Sequence, residues 1–151
     1  MQRKLTILLA FLVAWLLMFA ITTHAEGPEL ALRDQPIGSI VTYFSNKNGI
    51  SPRLALKVME CESGGIQDTT SDMGLSHGIF QIQKSTWDRF TGEMGEKLDY
   101  DSPMDQAKVA TWAMAHGHAT EWSTFIAIMK GGKYSFYSRQ LHRHFTVICK
   151  A

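Results

Sequence analysis

Two short segments of this chain carry residue types that suit chemistry on a sugar. Cys61-Glu62-Ser63-Gly64-Gly65 ends an apolar helical pattern, and Gly78-Ile79-Phe80-Gln81-Ile82 begins thirteen residues after Gly65. A glycosidic bond needs its leaving oxygen protonated, and burial disfavours the charged form of a carboxylic acid. A glutamate on the apolar side of a helix end therefore has the environment of a general acid. The alternative is a solvated helix-end carboxylate or a buried ion-pair partner.

The element that positions Glu62 is a predicted helix beginning at Ser51-Pro52, with serine as the cap and proline at the first helical position. Its apolar stripe has helical spacing and comprises Leu54, Ala55, Val58 and Met59. Glu62 continues this stripe, whereas Glu60 points elsewhere. We expect Met59, with Ile79 or Phe80, to wall the carboxyl group.

Four further helices are predicted from periodicity and capping residues. They begin near Pro36, at Ser85, at Ser102-Pro103 and before Trp122. Residues 67–77 are polar and predict a loop or a small hairpin. The tryptophans at helical spacing are assigned to the core rather than to sugar binding, and they are Trp87, Trp112 and Trp122.

In this order and spacing, the two segments closely resemble the glutamate–serine and Gly-Leu-Met-Gln motifs of lytic transglycosylases with a soluble-lytic-transglycosylase (SLT) domain, in the lysozyme-like superfamily. The resemblance covers roughly residues 37–130. It implies a mainly α, lysozyme-like α+β domain with a small loop or hairpin between the catalytic helix and the rest. Glu62 matches the catalytic glutamate, and the supporting residues it implies are Ser63, Gly78, Phe80 and Gln81.

Each supporting residue has an expected role and a structural alternative. By the resemblance, Ser63 bonds Glu62, and Gly78 lets the backbone approach closely while Phe80 shapes the cleft. Gln81 would bond a sugar or position Glu62. Alternatively, Ser63 is only a helix C-terminal residue and Gln81 bonds the backbone, as most polar side chains do.

The resemblance implies cleavage of the β-1,4 bond between N-acetylmuramic acid and N-acetylglucosamine, with a 1,6-anhydro product and Glu62 as the single acid and base. Two alternatives stay open. A lysozyme-type hydrolase would use a second carboxylate, for which Asp72 is the candidate and Asp68 the nearer neighbour. An inactive glycan-binding assembly factor would bind the strand without cleaving it.

One region departs from the family pattern. Many members carry a late Tyr-Asn-Ala-Gly motif whose tyrosine holds the glutamate, whereas residues 115–122 here read Ala-His-Gly-His-Ala-Thr-Glu-Trp. We expect Trp122 to act there as a packing anchor. The group that positions Glu62 is left open by the sequence.

The N-terminal segment predicts export. Arg3 and Lys4 precede an apolar run over residues 5–21, and Thr23-His24-Ala25 supplies small residues before a cleavage point. Residues 1–25 are interpreted as a signal peptide or, alternatively, as a retained inner-membrane anchor, since the run is at the short limit for a bilayer span. The rest would then be periplasmic or extracellular, with a linker at 26–36 and the catalytic domain at 37–132.

Export would place Cys61 and Cys149 in an oxidising compartment, where they can form one intramolecular bridge. Separate thiols are the alternative. Residues 133–151 mix basic and aromatic residues and read as a C-terminal tail, either docked through Cys149 or loosely attached. The spacing of the cysteines is not that of a metal-binding motif, and neither is the spacing of His77, His116 and His118.

Charge and composition limit the kinds of binding partner that the sequence predicts. The chain has 15 basic and 14 acidic residues among 151, for a formal net charge of +1. The sequence contains no stripe of Lys and Arg residues that would indicate nucleic-acid binding. The expected partner is a peptidoglycan strand, with a secretion, conjugation or phage apparatus as a further candidate. We predict a monomer that needs no cofactor.

Overall fold

The computed structural model describes residues 29–71, 74–139 and 142–149. The predicted signal peptide or anchor lies outside these residues, as does Asp72. The chain divides into two compact units, Met1–Asp34 and Gln35–Ala151. Within the first unit, the described part holds one 3-10 helix, Leu30–Leu32, inside the predicted linker. Within the described residues, none of the helices combines the length and the hydrophobicity that a membrane span requires.

The second unit is mainly helical, which confirms the predicted fold class. Its α-helices are α1 (Ile37–Lys47), α2 (Pro52–Ser63), α3 (Lys84–Met94), α4 (Pro103–Ala113) and α5 (Ser123–Met129). A π-type turn, Met114–His118, and a 3-10 turn, Ala119–Glu121, connect α4 to α5.

Helix α1 packs against α2 and α4, and this contact forms the centre of the core. The apolar stripes predicted from the sequence supply the side chains. Phe44 of α1, Val58 of α2 and Val109 of α4 have no exposed surface. Burying side chains of this size contributes about 1.5–3 kcal/mol each, so these contacts stabilise the packing of α2 in the core.

A small antiparallel sheet follows α2, with strands β1 (Thr70–Ser71), β2 (Ser76–His77) and β3 (Ile82–Gln83) in that order. The predicted hairpin is therefore present, with a third strand added. Strand β3 runs directly into α3, so the helix begins at Lys84 with Gln83 as its N-cap residue. Ser85, predicted as the cap, lies one residue inside the helix because no loop separates the strand from it.

The C-terminal segment forms a β-hairpin of strands β4 (Lys133–Ser138) and β5 (Arg143–Ile148), which pack against α5. On one face Tyr134 stacks on Phe136, with ring centroids 5.6 Å apart, and Phe136 stacks on Phe145 at 5.7 Å. The cations of Lys130 and Arg143 lie over the outer rings. Each of these cation–π contacts stabilises the hairpin by about 0.5–1 kcal/mol. The C-terminal segment is therefore a packed hairpin rather than a loose tail.

A disulfide joins Cys149, which directly follows β5, to Cys61 in the last turn of α2. The two Cα atoms are 5.7 Å apart across a sequence separation of 88 residues. Cys149 is 1% exposed, and its backbone N–H donates to the carbonyl of Gly132 at 2.9 Å. The end of the hairpin is thus fixed covalently to the residue that precedes Glu62.

Candidate active site

A mostly polar cavity of about 260 Å³ lies beside the C-terminal end of α2. Three segments surround it: the end of α2, the residues from β2 to the start of α3, and the turn that leads into α5. Its wall includes Glu62, Ser76, Gln81, Thr86, Glu121 and Trp122. Carboxyl, amide and hydroxyl groups together with an aromatic ring are the groups that sugars engage.

Glu62 is half-buried at this wall, in the last turn of α2. The hydroxyl of Thr124, at the start of α5, donates a hydrogen bond to Glu62 Oε1. Thr124 is only 7% exposed, so solvent competes little for this contact. Sequence reasoning missed Thr124, because a threonine in a helix-start pattern carries no sign that it faces a residue 62 positions away.

Gln81 also lines the cavity and has its amide nitrogen engaged by the backbone. Its Nε2 donates to the carbonyls of Thr69 at 2.7 Å and Gly78 at 2.9 Å. The alternative in which Gln81 bonds the backbone therefore describes the observed geometry. Its Oε1 is buried and has no hydrogen-bond partner among the described atoms. The backbone at Gln81 has φ of 48°, a region that costs a non-glycine residue about 1–3 kcal/mol.

Ser63 bonds neighbours other than Glu62. Its hydroxyl lies 2.8 Å from the carbonyl of Ile79 and 3.4 Å from that of Met59, and it accepts from the N–H of Gly65 at 3.0 Å. The expected bond to Glu62 is absent from these contacts. The reason is geometric, because the serine at the end of α2 faces the turn at 78–81. Ser63 thereby fastens the end of α2 to that turn.

Phe80 and Gly78 support the site from behind rather than shaping its surface. Phe80 is fully buried and does not belong to the cavity wall. Gly78 has φ of 81°, and a Cβ atom there would lie 2.5 Å from the amide of Gln106. The close approach that Gly78 allows is therefore to Gln106, a fully buried side chain that sequence reasoning did not single out.

The structure shows a second carboxylate at the cavity, and it is Glu121. Its carboxylate pairs with Arg89, and its Oε1 lies 3.1 Å from His118 Nδ1. The predicted second carboxylate, Asp72, lies outside the described residues, and exposed Asp68 does not line the cavity. Sequence reasoning missed Glu121 because it lies in a turn with no motif around it.

The tryptophan predictions differ among themselves in outcome. Trp87 and Trp122 are 3% and 6% exposed, so both belong to the core, although Trp122 also reaches the cavity. Trp112 is half-buried and stacks on His116, with ring centroids 4.4 Å apart.

Among the described residues no cluster of His, Cys, Asp and Glu could hold a metal ion.

A search against protein families finds one that matches most of the helical unit. The model described as "Transglycosylase SLT domain" matches residues 39–129. This range holds all of α2 to α5 and the whole cavity wall, and it ends before the C-terminal hairpin. Comparisons with curated proteins and with solved structures found no match.

Proposed function

Because the chain belongs to the transglycosylase SLT domain family, as the match over residues 39–129 shows, we propose that it cleaves peptidoglycan strands as a lytic transglycosylase with Glu62 as acid and base. The observation that carries this proposal is the position of Glu62. It is half-buried, in the last turn of a core helix, in the wall of a polar cavity, and hydrogen-bonded by Thr124. A catalytic acid needs this combination of partial burial and fixed orientation.

The proposed reaction has two steps that balance without water. In the first, neutral Glu62 gives its proton to the glycosidic oxygen as the bond from C1 of N-acetylmuramic acid breaks. In the second, the Glu62 carboxylate takes the proton of the C6 hydroxyl as O6 bonds to C1. The products are an N-acetylglucosamine end and a 1,6-anhydro-N-acetylmuramic acid end, and Glu62 recovers its proton.

Gln81 supplies a second argument for a sugar at this wall. Its buried Oε1 lacks a donor in this structure, and an unsatisfied buried acceptor costs about 1–3 kcal/mol. Sugar hydroxyl and acetamido N–H groups are suitable donors. A small adjustment of the wall on binding would let such a donor satisfy Oε1, while the bonds of Nε2 to Thr69 and Gly78 keep the side chain in place.

We also propose that the protein acts outside the cytoplasm. The disulfide between Cys61 and Cys149 suits an oxidising compartment, and the residue pattern of 1–25 suits export. A peptidoglycan substrate lies in the same compartment. Whether the segment at 5–21 is removed or retained as an anchor can be read from the mass of the mature protein.

The hydrolase alternative needs a carboxylate that can act on water or on the sugar cation. Glu121 is at the cavity, but its pairing with Arg89 and His118 favours a structural tie between α3 and the turn before α5. The glycan-binding alternative needs only the cavity. It predicts strand binding without any change in glycan length.

The first test replaces Glu62 by Gln, with Glu60→Gln as the matched control. Glu60 is an exposed residue of the same helix, so its change controls for charge and helix effects. We expect Glu62→Gln to lower the turnover of purified peptidoglycan by several orders of magnitude, because an amide cannot give up a proton. A Glu62→Gln enzyme with nearly normal turnover would sink the proposal, and a wild-type protein that binds strands without cleaving them would leave the binding alternative.

The second test reads the reaction class from the products by mass spectrometry. Ends of 1,6-anhydro-N-acetylmuramic acid, lighter by one water than reducing ends, are expected. Asp72→Asn and Glu121→Gln should then each keep most of the turnover. Reducing ends, together with loss of turnover in either variant, would establish a hydrolase instead.

A further inference from the structure

We infer that Thr124 is a positioning residue of this site: its hydroxyl holds the carboxyl group of Glu62 by Oε1 in one orientation. The inference rests on the proposed role of Glu62 as acid and base. The hydroxyl is the donor in this contact. A hydroxyl that donates to one carboxyl oxygen restricts rotation of the carboxyl group, so the group meets the substrate in one orientation.

Thr124 is built to hold one orientation. It is 7% exposed, and its β-branched side chain has restricted rotation about χ1. It is the second residue of α5, directly after the Trp122–Ser123 pair. The indole of Trp122 is anchored to the buried carbonyl of Phe80 at 2.9 Å. Backbone and side chain are therefore both fixed before substrate binds, which is the requirement for a preorganised donor.

The contact also identifies a group that can position Glu62, which the sequence alone left open. Residues 115–122 lack the tyrosine that the resemblance would assign to holding the glutamate. Helix α5 packs directly on α2, so a hydroxyl at its first turn reaches the last turn of the catalytic helix. A threonine from this helix thereby supplies a donor where the usual motif is missing.

The test compares variants that keep the hydroxyl with variants that remove it. Thr124→Val keeps the shape and loses the donor, Thr124→Ala loses both, and Thr124→Ser keeps the donor. We expect Val and Ala to lower kcat by roughly 10- to 100-fold, since a misplaced catalytic group costs on that order. KM should change by less than about threefold, because the hydroxyl acts on Glu62 and not on the sugar. Thr124→Ser should restore kcat to within about threefold.

The melting temperatures of the wild type and the three Thr124 variants show whether a loss of kcat comes from lost positioning of Glu62 or from lost packing. If Ser loses as much kcat as Val, and the losses follow the melting temperatures, Thr124 acts through packing and the inference is wrong. A normal kcat in either Val or Ala also overturns it. Glu62→Gln shows whether a failure concerns Thr124 or the proposed function. If Glu62→Gln is inactive and Thr124→Val is fully active, only the inference about Thr124 is wrong. If Glu62→Gln is active, the proposed function is wrong.

Discussion

The indole Nε1 of Trp122 donates a hydrogen bond of 2.9 Å to the backbone carbonyl of Phe80. Both residues are buried, Trp122 at 6% and Phe80 at 0% exposed. The bond joins the turn that leads into α5 to the turn that carries Gln81. These segments form two sides of the cavity, so the contact ties the segment that leads to Thr124 to the segment that carries Gln81.

We predict that Trp122→Phe destabilises the protein and also lowers its turnover of glycan strands. The carbonyl of Phe80 would be left buried without its donor, which costs about 1–3 kcal/mol, and the smaller ring adds a packing loss. Because Thr124 follows two residues later, its alignment with Glu62 should loosen, so kcat should fall more than KM rises. Denaturant unfolding and steady-state kinetics check the two parts.

Trp87→Phe is the matched control for this change. Trp87 is buried to a similar extent, at 3% exposed, its ring contacts Tyr100, and neither residue lines the cavity. It should show a comparable loss of packing stability with kcat nearly unchanged. Equal losses of kcat in both variants would mean that the Trp122–Phe80 bond has no special part in aligning the site.

Gly78 lies against the amide of Gln106 so closely that no side chain fits between them. A Cβ atom at Gly78 would be 2.5 Å from Gln106 Cδ and Nε2, and the backbone has φ of 81°. The amide of Gln106 donates to the carbonyl of Tyr100 at 3.0 Å, and Gln106 is fully buried. We therefore predict that Gly78→Ala destabilises the fold by about 2–4 kcal/mol, from backbone strain and overpacking together.

Two other glycines separate the causes of that loss. Gly95 also has a positive φ, of 69°, but has open space around its Cβ position, so Gly95→Ala should cost only the strain, about 1 kcal/mol. Gly92 lies in α3 with open space, and Gly92→Ala should stabilise by about 0.5–1 kcal/mol. If Gly78→Ala costs no more than Gly95→Ala in chemical unfolding, the contact with Gln106 is not limiting.

The helices could be predicted because their causes are local. The pairs Ser51-Pro52 and Ser102-Pro103 mark helix starts through the fixed φ of proline. The side chain of Ser102 also caps its helix by accepting from the N–H of Asp105, whereas the side chain of Ser51 makes no capping hydrogen bond. Glu62 was found the same way, since it continues an apolar stripe. These signals need only a few neighbouring residues, and tertiary packing agreed with them.

The supporting contacts of the site could not be predicted because they join residues distant in sequence. Ser63 and Ile79 are 16 residues apart, Thr124 and Glu62 62 apart. Periodicity says which face of an element is buried, but not which hydroxyl or carbonyl meets it from another element. The C-terminal hairpin was missed for a related reason: β4 and β5 alternate exposed and half-buried residues, yet basic residues interrupt their apolar pattern.

The bridge between Cys61 and Cys149 gives the last prediction, which separates stability from catalysis. Closing a loop across 88 residues should stabilise the fold by about 4 kcal/mol, so Cys61→Ser/Cys149→Ser should melt roughly 10 °C lower or more. No hairpin residue lines the described cavity wall, so kcat on soluble glycan fragments at 25 °C, a temperature chosen below the transition, should stay within about threefold. Reducing the wild type should reproduce the melting shift, and the same reductant should leave the double variant unchanged. A large fall in kcat with the fold intact would instead place the hairpin in the catalytic machinery, because it would show that Glu62 depends on the covalent link at its preceding residue.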